Sequence, residues 1–218
     1  MNIIILIIAN DHPKYYHEMQ TVWKKYMNLH PNIRSFFIKG NEEDSVESET
    51  IYVKSGENYI PGILEKTVKS MEYIQNNYEY DYIFRTNLSS FVDLYKLYEF
   101  IHLESTQSMD YGGIILTPSD IPFGYISGAG ILFSRTTTEY IINNQSKLDY
   151  SIIDDVAFGK LLVPKFPIDF INRIELESVP ECIIKPIRDS PVFHFRCKTT
   201  NHFNTVNIMN RLCQIVYG

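Results

Sequence analysis

The stretch Met1-Asn2-Ile3-Ile4-Ile5-Leu6-Ile7-Ile8-Ala9 opens the chain with an almost unbroken apolar run. The polar stretch Asn10-Asp11-His12-Pro13 follows at once, so the run is too short to cross a membrane, and it lacks the basic flank of a signal peptide. A short apolar run that ends in polar residues is typical of a strand buried on both faces, as in parallel sheets. We therefore predict a strand over residues 2–9 and a soluble, cytoplasmic protein.

Predicted helices and strands alternate downstream of this first strand. This alternation predicts βαβ crossovers and an α/β fold whose mostly parallel central sheet is flanked by helices. The end of the chain adds extended segments, which predict a small antiparallel addition near the C-terminus. The predicted strands cover residues 32–38, 51–53, 80–85, 111–116, 125–134, 168–175 and 191–197, and the predicted helices cover residues 14–29, 92–102, a segment after Pro61-Gly62, one opened by a capping box at Thr136 and Glu139, and one through Leu162.

Composition limits the class of protein. The chain has 218 residues, of which 44% are hydrophobic and 21% charged, and this usage predicts one globular domain over residues 1–218. The formal net charge of −6 argues against a partner of duplex nucleic acid. The 3 cysteines have no CxxC spacing, so neither a disulfide framework nor a zinc site is expected. The acidic run over residues 41–49 is predicted to be a solvated loop.

Polar clusters follow several predicted strands, where open α/β sheets bind ligands. Asn10 and Asp11 suit either turn formation or contact with a nucleotide. The segment Arg85-Thr86-Asn87-Leu88-Ser89-Ser90 joins a cation, an amide and hydroxyls at a strand end. The segment Ser127-Gly128-Ala129-Gly130 places glycines within a strand, which permits close approach of either a protein element or a ligand.

Two further segments carry charges suited to catalysis or anion binding. Asp154 and Asp155 begin a predicted helix, where carboxylates either stabilise the helix dipole or act as a general base. In Phe193-His194-Phe195-Arg196-Cys197-Lys198, alternation places His194, Arg196 and Lys198 on one strand face. Such a face is either simply solvated or binds a phosphate or an oxyanion.

Taken in order, Tyr80–Thr86, Tyr125–Ser134 and Asp154–Gly159 resemble nucleotide-sugar-dependent glycosyltransferases of the GT-A fold, in particular the β-1,3-galactosyl- and N-acetylglucosaminyltransferase-like group. The resemblance covers residues 80–162 well and the first 80 residues only in their order of elements. It implies transfer of a hexose from a nucleotide diphosphate sugar, such as a UDP-sugar, to a hydroxyl of a glycan, with inversion.

The same resemblance implies roles for individual residues. Asp155 would be the catalytic base, Asp154 would orient the acceptor or its neighbour, and Ser127 and Gly128 would line the sugar pocket. The donor would be bound by Asn10, Asp11, Arg85, Asn87, Ser89, His194, Arg196 and Lys198, the last three of them facing the diphosphate.

One departure from the family concerns the metal. GT-A enzymes carry Asp-x-Asp where this chain has Asn87-Leu88-Ser89, and neutral groups are weak ligands for Mn²⁺ or Mg²⁺. Other groups such as Asp81 or Asp155 could hold the metal, arginine and lysine could replace it, or the donor site could be inactive.

Two other functions therefore stay open. One is a non-catalytic carbohydrate- or nucleotide-binding module on the same fold. The other is a nucleotidyltransferase, which is disfavoured because no glycine-rich phosphate loop follows the first strand.

Overall fold

The computed structural model describes residues 1–103 and 105–218. The strands are β1 (Ile3–Ile8), β2 (Ile33–Asn41), β3 (Ser45–Glu47), β4 (Thr50–Lys54), β5 (Tyr82–Asn87), β6 (Ser90–Val92), β7 (Tyr111–Leu116), β8 (Tyr125–Ser134), β9 (Ile168–Phe170), β10 (Ile174–Glu175) and β11 (His194–Arg196). The α-helices are α1 (Tyr15–Lys24), α2 (Gly62–Asn77), α3 (Leu94–Ile101), α4 (Arg135–Asn143), α5 (Asp154–Leu162), α6 (Ile184–Asp189) and α7 (His202–Tyr217).

The central sheet has eight strands in the order β3-β4-β2-β1-β5-β8-β7-β9. Strands β4, β2, β1 and β5 run parallel, and β9 runs parallel to β7. Strand β8 is antiparallel to both β5 and β7, and β3 is antiparallel to β4. This is the predicted α/β fold with a mostly parallel sheet flanked by helices.

Alternate side chains of β1 explain why its sequence is apolar throughout. Ile3, Ile5 and Ile7 pack into a core that includes residues of α1, α3 and α7. Ile4 and Leu6 point to the other face of the sheet, where α2, α4 and α5 pack. Because both faces are covered, no position of this strand is left for a polar side chain.

A second sheet of three strands, in the order β10-β11-β6, lies beside the first. The sequence predicted an antiparallel addition from the C-terminal part of the chain. Strand β6 is antiparallel to β11, but β10 is parallel to it, and β6 comes from the middle of the chain. The addition is therefore mixed.

Several element boundaries differ from the prediction. Helix α1 ends at Lys24, five residues before the predicted end. Part of the acidic run forms β3, an exposed edge strand, because Val46 pairs with Ile51 of β4. Helix α4 is capped by Ser134, whose side chain accepts from the Thr137 N–H, so the predicted capping box lies two residues too late.

Among residues 1–103 and 105–218, no helix combines the length and the apolar character that a membrane span requires.

Candidate functional site

A cleft of about 330 Å³ lies where β1 and β5 end. Ile8 of β1 is in register with Asn87 of β5, so the residues that follow both strands meet at one edge of the sheet. Five residues that the sequence assigned to donor binding line this cleft, namely Asn10, Asn87, Ser89, Arg196 and Lys198. The topology thus brings together positions from three distant segments.

Lys66 of α2 also lines the cleft, although the sequence did not single it out. Its Nζ donates to the Ala9 carbonyl at 2.8 Å and to Glu57 Oε2 at 2.5 Å. Burial lowers the pKa of Lys66, and the hydrogen bond to Glu57 opposes that effect. Nothing in the local sequence distinguishes this lysine from a solvated one, because its role depends on the end of a strand 57 residues away.

Asp11 lies beside the cleft and is not on its wall. Its Oδ1 accepts from Lys39 Nζ at 2.6 Å. Burial alone would raise the pKa of Asp11, but the hydrogen bond from Lys39 leaves that pKa lowered. Its neighbour Asn10 both lines the cleft and stabilises the turn, since its Oδ1 accepts from the His12 N–H at 3.0 Å.

The two carboxylates that begin α5 have different environments. Asp154 is buried, and its Oδ2 accepts from Nη2 of the buried Arg85 at 2.5 Å. Burial raises the pKa of Asp154, while the positive charge of Arg85 opposes the rise. Asp155 is half-buried, and its Oδ2 accepts from the Gly128 N–H at 3.0 Å. Asp154 therefore forms a buried ion pair with Arg85, whereas Asp155 remains partly exposed to solvent.

Gly128 permits this close approach. A Cβ added at Gly128 would lie 3.2 Å from both Arg85 Nη1 and Asp155 Oδ2, which is tighter than ordinary van der Waals contact. The absent side chain thus makes room for protein groups at this position.

Within the described part of the chain, Arg85 Nε and Nη1 are buried without a hydrogen-bond partner.

Tyr59 is a residue of the cleft wall that lies near the acidic pair. It lines the cleft and is 63% exposed. Burial raises the pKa of Tyr59, and the negative charges of Asp155 and Asp154 raise it further, so these carboxylates lie within electrostatic reach of the tyrosine. Asp155 itself is not on the cleft wall but lies near this tyrosine.

His194 lies apart from the cleft wall, although it shares a strand with Arg196. It is buried, and its Nε2 lies 3.1 Å from Ser90 Oγ. A Cβ added at Gly130 would lie 2.3 Å from the His194 ring, so this glycine admits the imidazole. Burial lowers the pKa of His194 to about 3, and the positive charges of Arg173 and Arg196 contribute. A neutral imidazole supplies no positive charge to a diphosphate, and this one lies away from the cleft wall.

The sequence also did not single out Arg173, which links the two sheets. Its Nη1 donates to Ser127 Oγ at 3.2 Å, and its Nη2 donates to Glu175 Oε1 at 2.6 Å. Arg196 Nη1 lies 3.6 Å from the same Glu175 oxygen. Ser127, assigned to the sugar pocket, is thus held against a buried cation.

The residues of the cleft do not fit a divalent cation. Glu57 is engaged by Lys66 and by the Gly40 N–H, and Asn87 and Ser89 are neutral. Asp81, considered as a metal ligand, precedes β5 and accepts from the Asn2 N–H, so it lies at the opposite end of the strand, roughly 20 Å away. Across the residues that the structure describes, no three His, Cys, Asp or Glu side chains form a group that could hold a metal ion.

Comparison with solved structures finds similar folds. A glycosyltransferase involved in the glycosylation of the major capsid of PBCV-1 is similar over 96% of this chain and 100% of its own, with a TM-score of 0.59 and 10% sequence identity. The galactosyltransferase LgtC, in complex with donor and acceptor sugar analogs, is similar over 98% of this chain and 95% of its own, with a TM-score of 0.50 and 9% identity.

An active-site mutant of LgtC is similar over 96% of this chain and 95% of its own, with a TM-score of 0.51 and 9% identity. No protein-family model and no curated protein matches the sequence. At these identities the similarity shows the fold alone, which this chain shares with these glycosyltransferases.

Proposed function

We propose that this protein is a glycosyltransferase that moves a sugar from a nucleotide diphosphate sugar, such as a UDP-sugar, to a hydroxyl of a glycan. The observation that carries the proposal is the cleft itself. It places Arg196 and Lys198 at the carboxyl edge of a sheet with a glycosyltransferase fold, and the half-buried Asp155 lies near Tyr59 of its wall. Open α/β sheets bind their ligands at this edge.

The donor would lie along the cleft wall. Asn10 and Asn87 supply both amide donors and amide acceptors, which suits the polar edges of a nucleoside. Arg196 and Lys198 supply positive charge for the two phosphates, whose negative charge grows as the bond to the sugar breaks. Ser127 and Gly128 adjoin Asp155, which suits the sugar end of the donor.

Asp155 would act as the general base. An acceptor hydroxyl becomes a good nucleophile only when its proton is removed in the transition state. Asp155 suits this role because it is partly solvent-accessible, whereas Asp154 is held by Arg85. Direct attack of the activated oxygen on the anomeric carbon would invert the configuration, as in the β-1,3-galactosyltransferase-like group.

Charge stabilisation would come from side chains. Among the residues that the structure describes, the cleft has no free set of carboxylates for Mn²⁺ or Mg²⁺, and it places Lys66, Arg196 and Lys198 on its wall. Fixed cations in a partly desolvated cleft stabilise a leaving diphosphate by the same electrostatic principle as a metal. His194 is absent from this set because it is neutral and buried.

The test is turnover of purified protein with a panel of nucleotide diphosphate sugars, measured as release of the nucleoside diphosphate with and without a glycan acceptor. Acceptor-dependent release is expected, and Asp155→Asn is the matched inactive control. Nucleotide-dependent stabilisation without any turnover would instead show a binding module. Release of pyrophosphate from a nucleoside triphosphate and a sugar phosphate would show a nucleotidyltransferase.

A further inference from the structure

Arg173, Glu175 and Arg196 form a compact charged cluster, which we call the two-arginine cluster. Glu175 and Arg196 are register partners on β10 and β11, so their side chains share one face of the small sheet. One Glu175 oxygen lies 2.6 Å from Arg173 Nη2 and 3.6 Å from Arg196 Nη1. A single carboxylate therefore sits between two guanidinium groups.

The two arginines need an anion between them. The Arg173 side chain is only 5% exposed, and burial together with the charge of Arg196 lowers the pKa of Arg173. Two adjacent guanidiniums repel each other, and a carboxylate between them removes that repulsion. Within residues 1–103 and 105–218, Arg173 Nε is buried without a partner. This arginine thus has hydrogen-bonding capacity that the protein itself does not use.

Glu175 is a weakly held occupant of this position. Its side chain is 61% exposed, so it is already largely solvated and can move fully into solvent. Because solvent screens the Glu175 end of the ion pair, the pair should contribute closer to the ~0–1 kcal/mol of exposed pairs than to the value for a fully buried pair. A group that carries more negative charge, and that offers several acceptor oxygens to both guanidiniums, would bind there more tightly than one carboxylate.

The position of the cluster indicates which anion it would bind. Arg196 lines the cleft, and Arg173 contacts Ser127, next to Gly128 and Asp155. The cluster therefore lies between the cationic part of the cleft and the proposed sugar pocket. In a nucleotide diphosphate sugar, the group between the nucleoside and the sugar is the diphosphate.

We propose that Arg173 and Arg196 together bind the donor diphosphate, and that the Glu175 carboxylate occupies this site until the donor displaces it. This inference rests on the proposed function for the identity of the anion. It adds Arg173 as a binding residue and makes Glu175 an internal competitor of the substrate.

The experiment measures the affinity of inorganic pyrophosphate by titration calorimetry, which requires no sugar transfer. Glu175→Gln removes the competing charge and keeps the shape, so pyrophosphate should bind about 2- to 5-fold more tightly. Glu177→Gln is the matched control, because it removes another exposed carboxylate two residues away, and this variant should bind pyrophosphate as tightly as the unmodified protein.

A second pair of variants tests the arginine. Arg173→Gln should weaken pyrophosphate binding roughly tenfold, since it removes a buried charged donor. Arg188→Gln, which changes an exposed arginine on α6, should leave the affinity unchanged. Urea denaturation of each variant checks that the protein is folded.

The outcomes separate this inference from the proposed function. Unchanged or weaker binding in Glu175→Gln would overturn the inference, because Glu175 would then organise the arginines and not compete. Absence of pyrophosphate binding in every variant would overturn it too, while sugar turnover could still be observed. The expected affinities without any sugar turnover would contradict only the proposed function.

Discussion

Asp154 and Asp155 are adjacent in sequence but differ in what they contact. Arg85 holds Asp154 in a buried ion pair, whereas Asp155 accepts a backbone N–H and remains partly open. Asp155→Asn keeps the shape and removes the base, so kcat should fall by at least ~10²-fold. The Kd of the nucleotide should hardly change, because proton transfer matters in the transition state.

Asp154→Asn provides the contrast in this experiment. It leaves Arg85 buried without its partner, so it should reduce the free energy of unfolding by about 3–5 kcal/mol, as for other broken buried pairs. Steady-state kinetics and urea denaturation of both variants measure the two effects. Near-normal turnover of Asp155→Asn would show that this residue only stabilises the start of α5.

His194 should make stability depend on pH. Its pKa in the folded protein is about 3, against 6.5 for an unperturbed histidine, so between these values the unfolded chain binds a proton that the folded chain does not. The stabilising effect of neutral His194 is complete above pH 6.5 and is lost as the pH falls toward 3. The loss should amount to a few kcal/mol, as an order of magnitude.

Urea denaturation between pH 7 and pH 4 tests this expectation. The His194→Gln variant should lose stability less steeply in this range than the unmodified protein. His12→Gln, which changes an exposed histidine, should keep the original slope. Equal slopes for His194→Gln and the unmodified protein would show that the imidazole is not responsible.

Single residues were predictable from sequence only where their chemistry shows locally. Asn10, Asn87, Ser89, Arg196 and Lys198 could be proposed for one cleft because each follows or ends a strand. The pairing of Arg85 with Asp154 spans 69 residues and leaves no local pattern. For the same reason Lys66 and Arg173 could not be distinguished from solvated cations.

At the scale of elements, Gly130 controls how closely β8 and β11 approach. A Cβ at this position would lie 2.3 Å from His194 Cε1 and 3.1 Å from Phe84 Cζ, both buried. Gly130→Ala should therefore destabilise the protein by about 1–3 kcal/mol through overpacking.

Gly124→Ala is the control for this prediction. There the nearest atom to an added Cβ is Thr117 Cγ2 at 3.4 Å, an ordinary contact. Its free energy of unfolding should stay close to that of the unmodified protein. If both variants unfold at the same urea concentration, the two sheets can separate more easily than the contacts indicate.

The elements that were not predicted from the sequence differ in the strength of their local sequence signal. Helix α7 was not predicted, although Met209, Leu212 and Ile215 recur every three residues and are buried. Strand β6 was not predicted because three residues give too little periodicity. Strand β3 was not predicted because it is exposed and lies in an acidic run. It is a strand only because it pairs with β4.

At the scale of the whole molecule, the sheet was predictable because helices and strands alternate along the chain. The antiparallel orientation of β8 was not, since its apolar residues pack equally well in either direction. The orientation matters for the site, because it places Ser127 and Gly128 beyond the end of β5, next to α5.

Charge in the cleft leads to a prediction about metals. Cations on its wall and the absence of a fitting carboxylate set in the described residues indicate that turnover should persist in EDTA. The measurement is release of nucleoside diphosphate in EDTA and again with added Mn²⁺. Complete loss in EDTA with full recovery on Mn²⁺ would show that a metal carries the charge that we assign to Arg196 and Lys198.

The exposed edge strand β3 has a consequence for the behaviour of the protein in concentrated solution. An unpaired edge can recruit a strand from another copy and so start fibril growth. Here the edge is only three residues long, and carboxylates surround it at Glu42, Glu43, Asp44, Glu47 and Glu49. The same carboxylates on a second copy would repel those of the first, and this electrostatic repulsion would keep the two copies apart. Because salt screens such repulsion, this protection against aggregation should weaken as ionic strength rises.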